Sequence, residues 1–255
     1  MIPLVVPPLQ GIAVLVTRPA AQATSVAARI RQLGGEAILL PAIAIEPIAV
    51  AVPGEHDLAI FVSSNAVEHG AHLIATQASL RVAAIGKSTA AALTALNIAV
   101  DLFPDTDSRS ETLLAHPALD LASGARVLIV RGVGGRTLLQ ESLAARGMQV
   151  AVLEVYRRVL PPADPALLAS LENLWSAGEL NIVTVTSVET LTNLVALLGD
   201  KGFLCRVPLL VASARIAEAA MTMGLRGEIV LARGADDDSL VGALSYWQAR
   251  ERSAA

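Results

Sequence analysis

The chain carries one cysteine, Cys205, which excludes an internal disulfide and any metal site built from several cysteines. Charge is scarce as well: 16% of the 255 residues are charged against 54% hydrophobic, a balance that excludes a disordered polypeptide. Net charge is −4, so there is no basic field to attract nucleic acid, and no nucleic-acid partner is expected. Mean hydropathy reaches +0.58, yet a long apolar run is missing. The early run Ala37–Ile45 contains Pro41, and Glu46, Pro47 and Pro53 interrupt the residues after it. No stretch approaches the roughly 20 apolar residues needed to cross a bilayer, so no membrane partner is expected. The start, Met1-Ile2-Pro3-Leu4, lacks the basic region of a signal peptide, and a cytoplasmic protein is the expectation.

Lysine is the other shortage. Lys87 and Lys201 are the only two, leaving 17 arginines among the 19 basic residues. Arginine suits bidentate recognition of carboxylate or phosphate. Plain composition bias explains the same excess, and both readings stand at this point.

What the sequence does have is alternation. Apolar runs at Ile12–Val16, Leu58–Val62, Val82–Ile85, Val127–Val130, Ile182–Val185, Leu209–Ala212 and Ile229–Leu231 alternate with Ala- and Leu-rich segments of helical period. Fully apolar strands alternating with helices describe a parallel sheet covered on both faces, an α/β architecture.

The chain also repeats itself. Ile12–Arg18 resembles Arg126–Arg131, and each leads through a helix to glycine and then an extended run, Glu36–Ile48 or Gln149–Leu160. Leu58–Ser64 resembles Asn181–Ser187, and Arg81–Leu93 resembles Val207–Ala219; matching Ser64 to Ser187 sets the offset at 123 residues. An internal duplication into two similar Rossmann-like lobes with parallel sheets follows. Both extended runs exceed an ordinary αβ connection of about 2–6 residues. They are expected to be strands crossing between lobes as a two-stranded linker, the second closed by the stiff Pro161–Pro165 segment. The expected division is residues 10–35 plus 172–255 for one lobe, 50–150 for the other, and 36–49 and 151–165 for the connecting strands.

Ligands of open parallel sheets bind beyond the carboxyl ends of strands, where helix N-termini point. Six turns fall there: Thr17-Arg18-Pro19, Ser63-Ser64-Asn65, Gly86-Lys87-Ser88-Thr89, Arg131-Gly132, Thr186-Ser187 and Ser213-Ala214-Arg215. Their Ser, Thr and Asn residues cap helices. The same exposed N–H groups also make anion sites, which points to a polyanionic ligand. Gly86-Lys87-Ser88 is not a P-loop, because the first required glycine is Arg81. Gly132-Val133-Gly134-Gly135-Arg136-Thr137 falls short of a dinucleotide fingerprint by its last glycine, and a close helix–strand turn accounts for it equally well. His69 and His72 lack nearby acidic or cysteine partners and read as surface or partly packed side chains. Asp236-Asp237-Asp238-Ser239 reads as a helix cap with acids complementing the dipole, and Trp175 and Trp247 as packing residues. Tyr156, one of two tyrosines, lies in the second crossing run. Its phenol, ordinarily of pKa about 10, can act as a weak general acid, but the spacing alone favours a tyrosine packed in a strand with its hydroxyl at the rim.

Taken in order, several segments resemble the uroporphyrinogen-III synthase family over essentially the whole chain. They are Val16–Pro19, Phe61–Val67, Ala84–Thr89, Ser110–Leu114, Arg131-Gly132 with Gly135-Arg136, Tyr156-Arg157 and Thr186-Ser187. The resemblance implies a cofactor-free lyase whose substrate is the linear tetrapyrrole hydroxymethylbilane, with eight carboxylates. The implied reaction loses the hydroxyl as water, gives an azafulvene, and closes through a spiro intermediate with ring D inverted. Unassisted closure gives the uninverted isomer, so positioning carries most of the catalysis. Carried over by position, Tyr156 assists hydroxyl departure. Ser63, Ser64, Asn65, Thr186 and Ser187 hold acetate and propionate arms, with Arg18, Lys87, Arg131 and Arg136 as their charge partners. Ser213–Ile216 departs from the family, which often has a Gly-rich turn with paired threonines there. A small-molecule substrate is the expected partner and a monomer the expected state. The competing reading is a non-catalytic two-lobed binding protein for a small polyanion.

Overall fold

Short β-branched and apolar segments become strands because each can bury both faces while its backbone groups are paired in a ladder. In the computed structural model, which describes residues 6–51, 54–74, 77, 79–162, 164–199 and 202–254, these are β1 (Ala13–Val16), β2 (Glu36–Leu39), β3 (Ala44–Pro47), β4 (Leu58–Phe61), β5 (Arg81–Ala84), β6 (Arg126–Gly132), β7 (Gln149–Val159), β8 (Ile182–Val185), β9 (Leu209–Val211) and β10 (Ile229–Leu231). The helices are α1 (Ala20–Gln32), α2 (Ser64–Gly70), α3 (Lys87–Ala95), α4 (Ser110–Leu114), α5 (Leu138–Ala145), α6 (Pro165–Ser176), α7 (Val188–Leu198), α8 (Ala214–Thr222) and α9 (Asp237–Ala254). The N-terminal Met1–Leu4, Pro53, Lys201 and Ala163 of the proline-rich linker, singled out in the sequence, lie outside the described residues.

The chain divides into two units, Met1–Ala44 with Val159–Ala255, and Ile45–Arg158. The first unit holds a sheet of order β10-β9-β8-β1-β2 and the second a sheet of order β3-β7-β6-β4-β5. The paired strands β1 with β2 and β8, β4 with β5 and β6, and β6 with β7 all run parallel. Matched through the sequence repeat, β9-β8-β1-β2 corresponds to β5-β4-β6-β7, so four strands follow the same order in both units.

Strand alternation builds two core layers in each unit. In β1, Val14 and Val16 meet Val26, Ala27 and Ile30 of α1 and Leu240 and Leu244 of α9, while Leu15 faces Leu191 and Leu194 of α7. The α1 set Ala23, Val26, Ala27 and Ile30 has the spacing of one helical face, which explains why this segment folds as a helix against the sheet. In β4, Leu58 and Ile60 pack with Leu139 and Leu143 of α5, and Ala59 and Phe61 with Ala66 and Val67 of α2. Each fully buried leucine, isoleucine or phenylalanine contributes about 1.5–3 kcal/mol.

The extended runs depart from the sequence expectation in one respect. Residues 36–49 are not one connecting strand but two. Ala37, Ile38 and Leu39 register against Val14, Leu15 and Val16, so β2 belongs to the first unit's sheet. Pro41, which has no N–H to donate, lies in the interruption, and β3 then joins the second unit's sheet beside β7. Likewise the first half of β7 ladders with β6 from Gln149 to Glu154 and is a full sheet strand. Only the later part of the first run therefore meets the second, with the Ile48 N–H donating to the Val155 carbonyl at 2.9 Å. The reason is local: an apolar extended segment next to an unpaired strand edge satisfies its backbone groups there sooner than in an isolated ribbon.

Candidate active site

The second unit's sheet carries an irregularity at its carboxyl end. The β6–β7 register runs evenly to Arg131 opposite Glu154, then shifts so that Gly132 faces Tyr156, leaving Val155 as an extra residue. Such bulges re-aim side chains. Val155 is fully buried, and the Tyr156 ring lies directly over Gly132. A Cβ placed on Gly132 would sit 2.5 Å from Tyr156 Cζ, so the absence of a side chain there is what admits the ring. The Val133 N–H donates to the Tyr156 carbonyl at 2.8 Å and fixes the strand end.

Tyr156 is 3% exposed, and its hydroxyl lies 3.1 Å from Ser63 Oγ. Ser63 stands in extended conformation before α2 and caps it, accepting the Ala66 N–H at 3.0 Å. The bond fixes the phenol at the mouth of β4. When the serine hydroxyl donates to it, the phenol's own proton is free to point elsewhere. The His69 ring, further along α2, stands 6.0 Å from the Tyr156 ring.

Ser63 and Tyr156 line a cavity of about 270 Å³ with Ser108–Ser110 on one side and Arg131–Arg136 on another. Four arginines, Arg109, Arg131, Arg136 and Arg158, contribute to its wall. Arg131 is 16% exposed and donates from Nη2 to Glu154 Oε1 at 3.0 Å, and the same oxygen accepts the Gly134 N–H at 3.3 Å. Arg131 Nε is buried and has no hydrogen-bond partner. Arg109 faces Asp107 at 3.5 Å. Arg136 is bound through both terminal nitrogens by Glu111, with Nη1 3.3 Å from Oε2. That hydrogen bond, followed by the residue's own backbone amide, lowers the Glu111 carboxyl below its ordinary range. A hydroxyl-bearing acid beside a concave cluster of guanidinium groups can bind a carboxylate-bearing molecule and protonate a leaving group on it.

Of the residues expected from the sequence, Ser63, Arg131, Arg136 and Tyr156 meet at this cavity. Ser64, Asn65 and Lys87 belong to the same unit but are absent from its wall; Ser64 and Lys87 are exposed, and Ser64 Oγ donates to the Ser88 carbonyl at 3.4 Å. Arg18, Thr186 and Ser187 fall in the first unit. There Arg18 is 11% exposed and pairs with Asp237 at 2.5 Å, its Nε buried without a partner. Ser187 caps α7, accepting the Thr190 N–H at 2.9 Å, and shares a hydrogen bond with the Thr190 hydroxyl. Asp236 caps α9 by accepting the Ser239 N–H at 2.9 Å and its hydroxyl at 2.7 Å. Gly86 packs so closely on Ser108 that a Cβ would fall 1.9 Å from its Oγ, which explains that glycine without a phosphate. Among the described residues, no cluster of His, Cys, Asp and Glu could hold a metal ion, and no helix is long and apolar enough to cross a membrane.

Sequence reasoning missed Ser108, Arg109 and Gln140 on the wall and Glu111 and Glu154 behind it. Glu154 was open to detection, two residues before Tyr156 in an extended run. Ser108 and Arg109 carry no comparable signal, because they come from the loop ahead of α4.

Comparison with known proteins finds relatives over most of the chain. Residues 24–242 match the family model described as "Uroporphyrinogen-III synthase HemD". The chain is 35% identical over 247 residues to uroporphyrinogen-III synthase of Escherichia coli K12, covering 91% of this chain and 99% of that one. Among solved structures, mutant uroporphyrinogen III synthase of Thermus thermophilus aligns at 21% identity and a TM-score of 0.56, covering 95% of this chain and 99% of that one. Uroporphyrinogen-III synthetase of Helicobacter pylori 26695 aligns at 14% identity and a TM-score of 0.61, covering 94% and 99%. These two structures show a shared α/β fold.

Proposed function

The chain belongs to the uroporphyrinogen-III synthase family, and we propose that it is a cyclising hydro-lyase converting hydroxymethylbilane to uroporphyrinogen III. The observation that carries the site assignment is the Tyr156 phenol, held at Ser63 on the wall of a cavity that four arginines line. At about 270 Å³ the cavity is below the usual size for a drug-sized ligand, roughly 300–1,000 Å³. It accommodates one pyrrole with its acidic arms rather than the whole tetrapyrrole.

In this reading Arg131 and Arg136 hold carboxylate arms, and Tyr156 donates its proton to the departing hydroxyl. The C–O bond breaks, water leaves, and the phenolate accepts a hydrogen bond from Ser63. The substituted ring-D carbon attacks the exposed methylene, and the spiro intermediate fragments and recloses. The proton released as the pyrrole recovers its aromaticity returns to the phenolate, so no cofactor is consumed. Holding ring D in the orientation that favours attack through its substituted carbon is the larger contribution, because unassisted closure gives the other isomer. The partner in this reading is the small-molecule substrate, acted on by a monomer in the cytoplasm.

The test supplies enzymatically made hydroxymethylbilane and resolves the product isomers by chromatography. The type III isomer should dominate. Formation of the type I isomer alone would overturn the assignment.

A further inference from the structure

We propose that Glu111 is a built-in competitor for carboxylate at the cavity and sets how tightly the cavity takes an acidic arm of the substrate. The proposal rests on the reading of this cavity as a polycarboxylate site. Arg136 contributes to the wall, and Glu111 occupies both terminal nitrogens of its guanidinium fork. Two-point pairing is the geometry that an incoming carboxylate would itself adopt. The protein carboxylate therefore already takes the two nitrogens with which a ligand carboxylate would pair.

Exposure shows which internal pair can be exchanged. The Arg136 and Glu111 side chains are 63% and 50% exposed, a solvated pair of small net worth that a ligand can displace. The Arg131–Glu154 pair is different: Arg131 is 16% exposed, and Glu154 also holds the Gly134 amide, so its loss would disturb the wall itself. Glu111 also joins α4 to the segment ahead of α5, spanning two sides of the cavity. A glutamate is charged at neutral pH in any case, and Arg136 lowers the Glu111 carboxyl further, so the competitor keeps its charge. Each arm that reaches Arg136 must replace one carboxylate with another, gaining little at that point of contact. An arm bound there is held weakly, which favours release of a product whose carboxylates match those of the substrate.

Glu111→Gln keeps the side-chain shape and removes the competing charge. The KM for hydroxymethylbilane should fall by about two- to fivefold, the factor that an exposed ion pair commands. The dependence of kcat/KM on salt should steepen, since one positive charge is unmasked. Damage to the fold weakens binding, so a gain in affinity cannot come from a structural role alone. Calorimetric titration with 1,2,3,4-butanetetracarboxylate provides a readout independent of turnover, and Glu111→Gln should bind it more tightly by a similar factor. The gain should vanish in the Glu111→Gln/Arg136→Gln double variant. An unchanged or weakened affinity for both ligands in Glu111→Gln would overturn the proposal. If the wild-type protein makes no type III isomer, the assigned reaction fails, while the tetracarboxylate titration still decides the role of Glu111.

Discussion

Gly132→Ala tests the central geometry with one methyl group. The added Cβ would lie 2.5 Å from Tyr156 Cζ, 2.6 Å from Cε2 and 3.0 Å from Cε1, whereas ordinary contact begins near 3.4 Å. The ring must therefore move by about 0.9 Å at its hydroxyl end. The ring is buried in one cluster with Val130, Val155 and Ala66, so a movement away from position 132 takes the phenol from its present position against Ser63. Starting from 3.1 Å, a shift of that size breaks or reorients the Ser63 hydrogen bond. Overpacking of this kind costs about 1–3 kcal/mol, and in a chain of this size each kcal/mol lowers Tm by about 2–4 °C. A misplacement near 1 Å at a reacting group costs on the order of 100-fold in rate. Gly132→Ala should remain folded, melt a few degrees lower, and form uroporphyrinogen III with kcat reduced about 100-fold. Steady-state rates with hydroxymethylbilane and a thermal melt measure the two effects. Wild-type kcat in the alanine variant would refute the claim that this close approach positions the phenol.

Other substitutions probe neighbouring parts of the argument. Tyr156→Phe should lose about 100-fold in kcat while retaining measurable type III product, because general acid assistance supplies about 10²–10⁴-fold and positioning survives; unchanged turnover would remove the phenol from the reaction. Ser63→Ala deletes both the Tyr156 bond and the α2 cap, and urea denaturation should show a loss of about 0.5–2 kcal/mol, with Ser63→Thr restoring most of it. The Ser239 hydroxyl and then its amide hold the Asp236 carboxyl below its ordinary range. A lowered folded-state pKa stabilises above the unfolded value and stops doing so as pH falls through the folded one. Asp236→Asn keeps a capping oxygen and loses only the charge, so it should be less stable than wild type by about 0.3–1 kcal/mol at neutral pH. The two should converge as pH drops below about 4; a gap that persists in acid would show that charge is not the cause.

The strands were legible because burial on both faces leaves an unbroken apolar run, as in Leu58–Phe61 and Ile182–Val185. Helix caps at Ser63 and Ser187 were legible for a similarly local reason, since a serine before a helical segment satisfies an N–H three residues on. Glu36–Ile48 is misread from sequence because length and β-propensity describe an extended segment without saying which strand edge it joins. That choice depends on which partner is unpaired nearby, and β1 supplies one edge and β7 the other.

The candidate site divides along the same line. Tyr156 could be singled out as one of two tyrosines, but its spacing favoured simple packing, and only the bulge at Val155 sets the ring across Gly132 and its hydroxyl beside Ser63. The arginine excess left composition and recognition undecided. Folding gives particular members particular partners: Asp237 for Arg18, Glu154 for Arg131 and Glu111 for Arg136. Sequence by itself determined the alternating parallel α/β plan, its internal repeat and the chemistry available at the strand ends, all of which depend on near neighbours and period. Tertiary structure alone decided which of those ends form a cavity and which internal carboxylates already occupy its arginines. The Tyr156–Ser63, Arg131–Glu154 and Arg136–Glu111 contacts join residues 23 to 93 positions apart, and only the ladder register and the packed core bring them within reach.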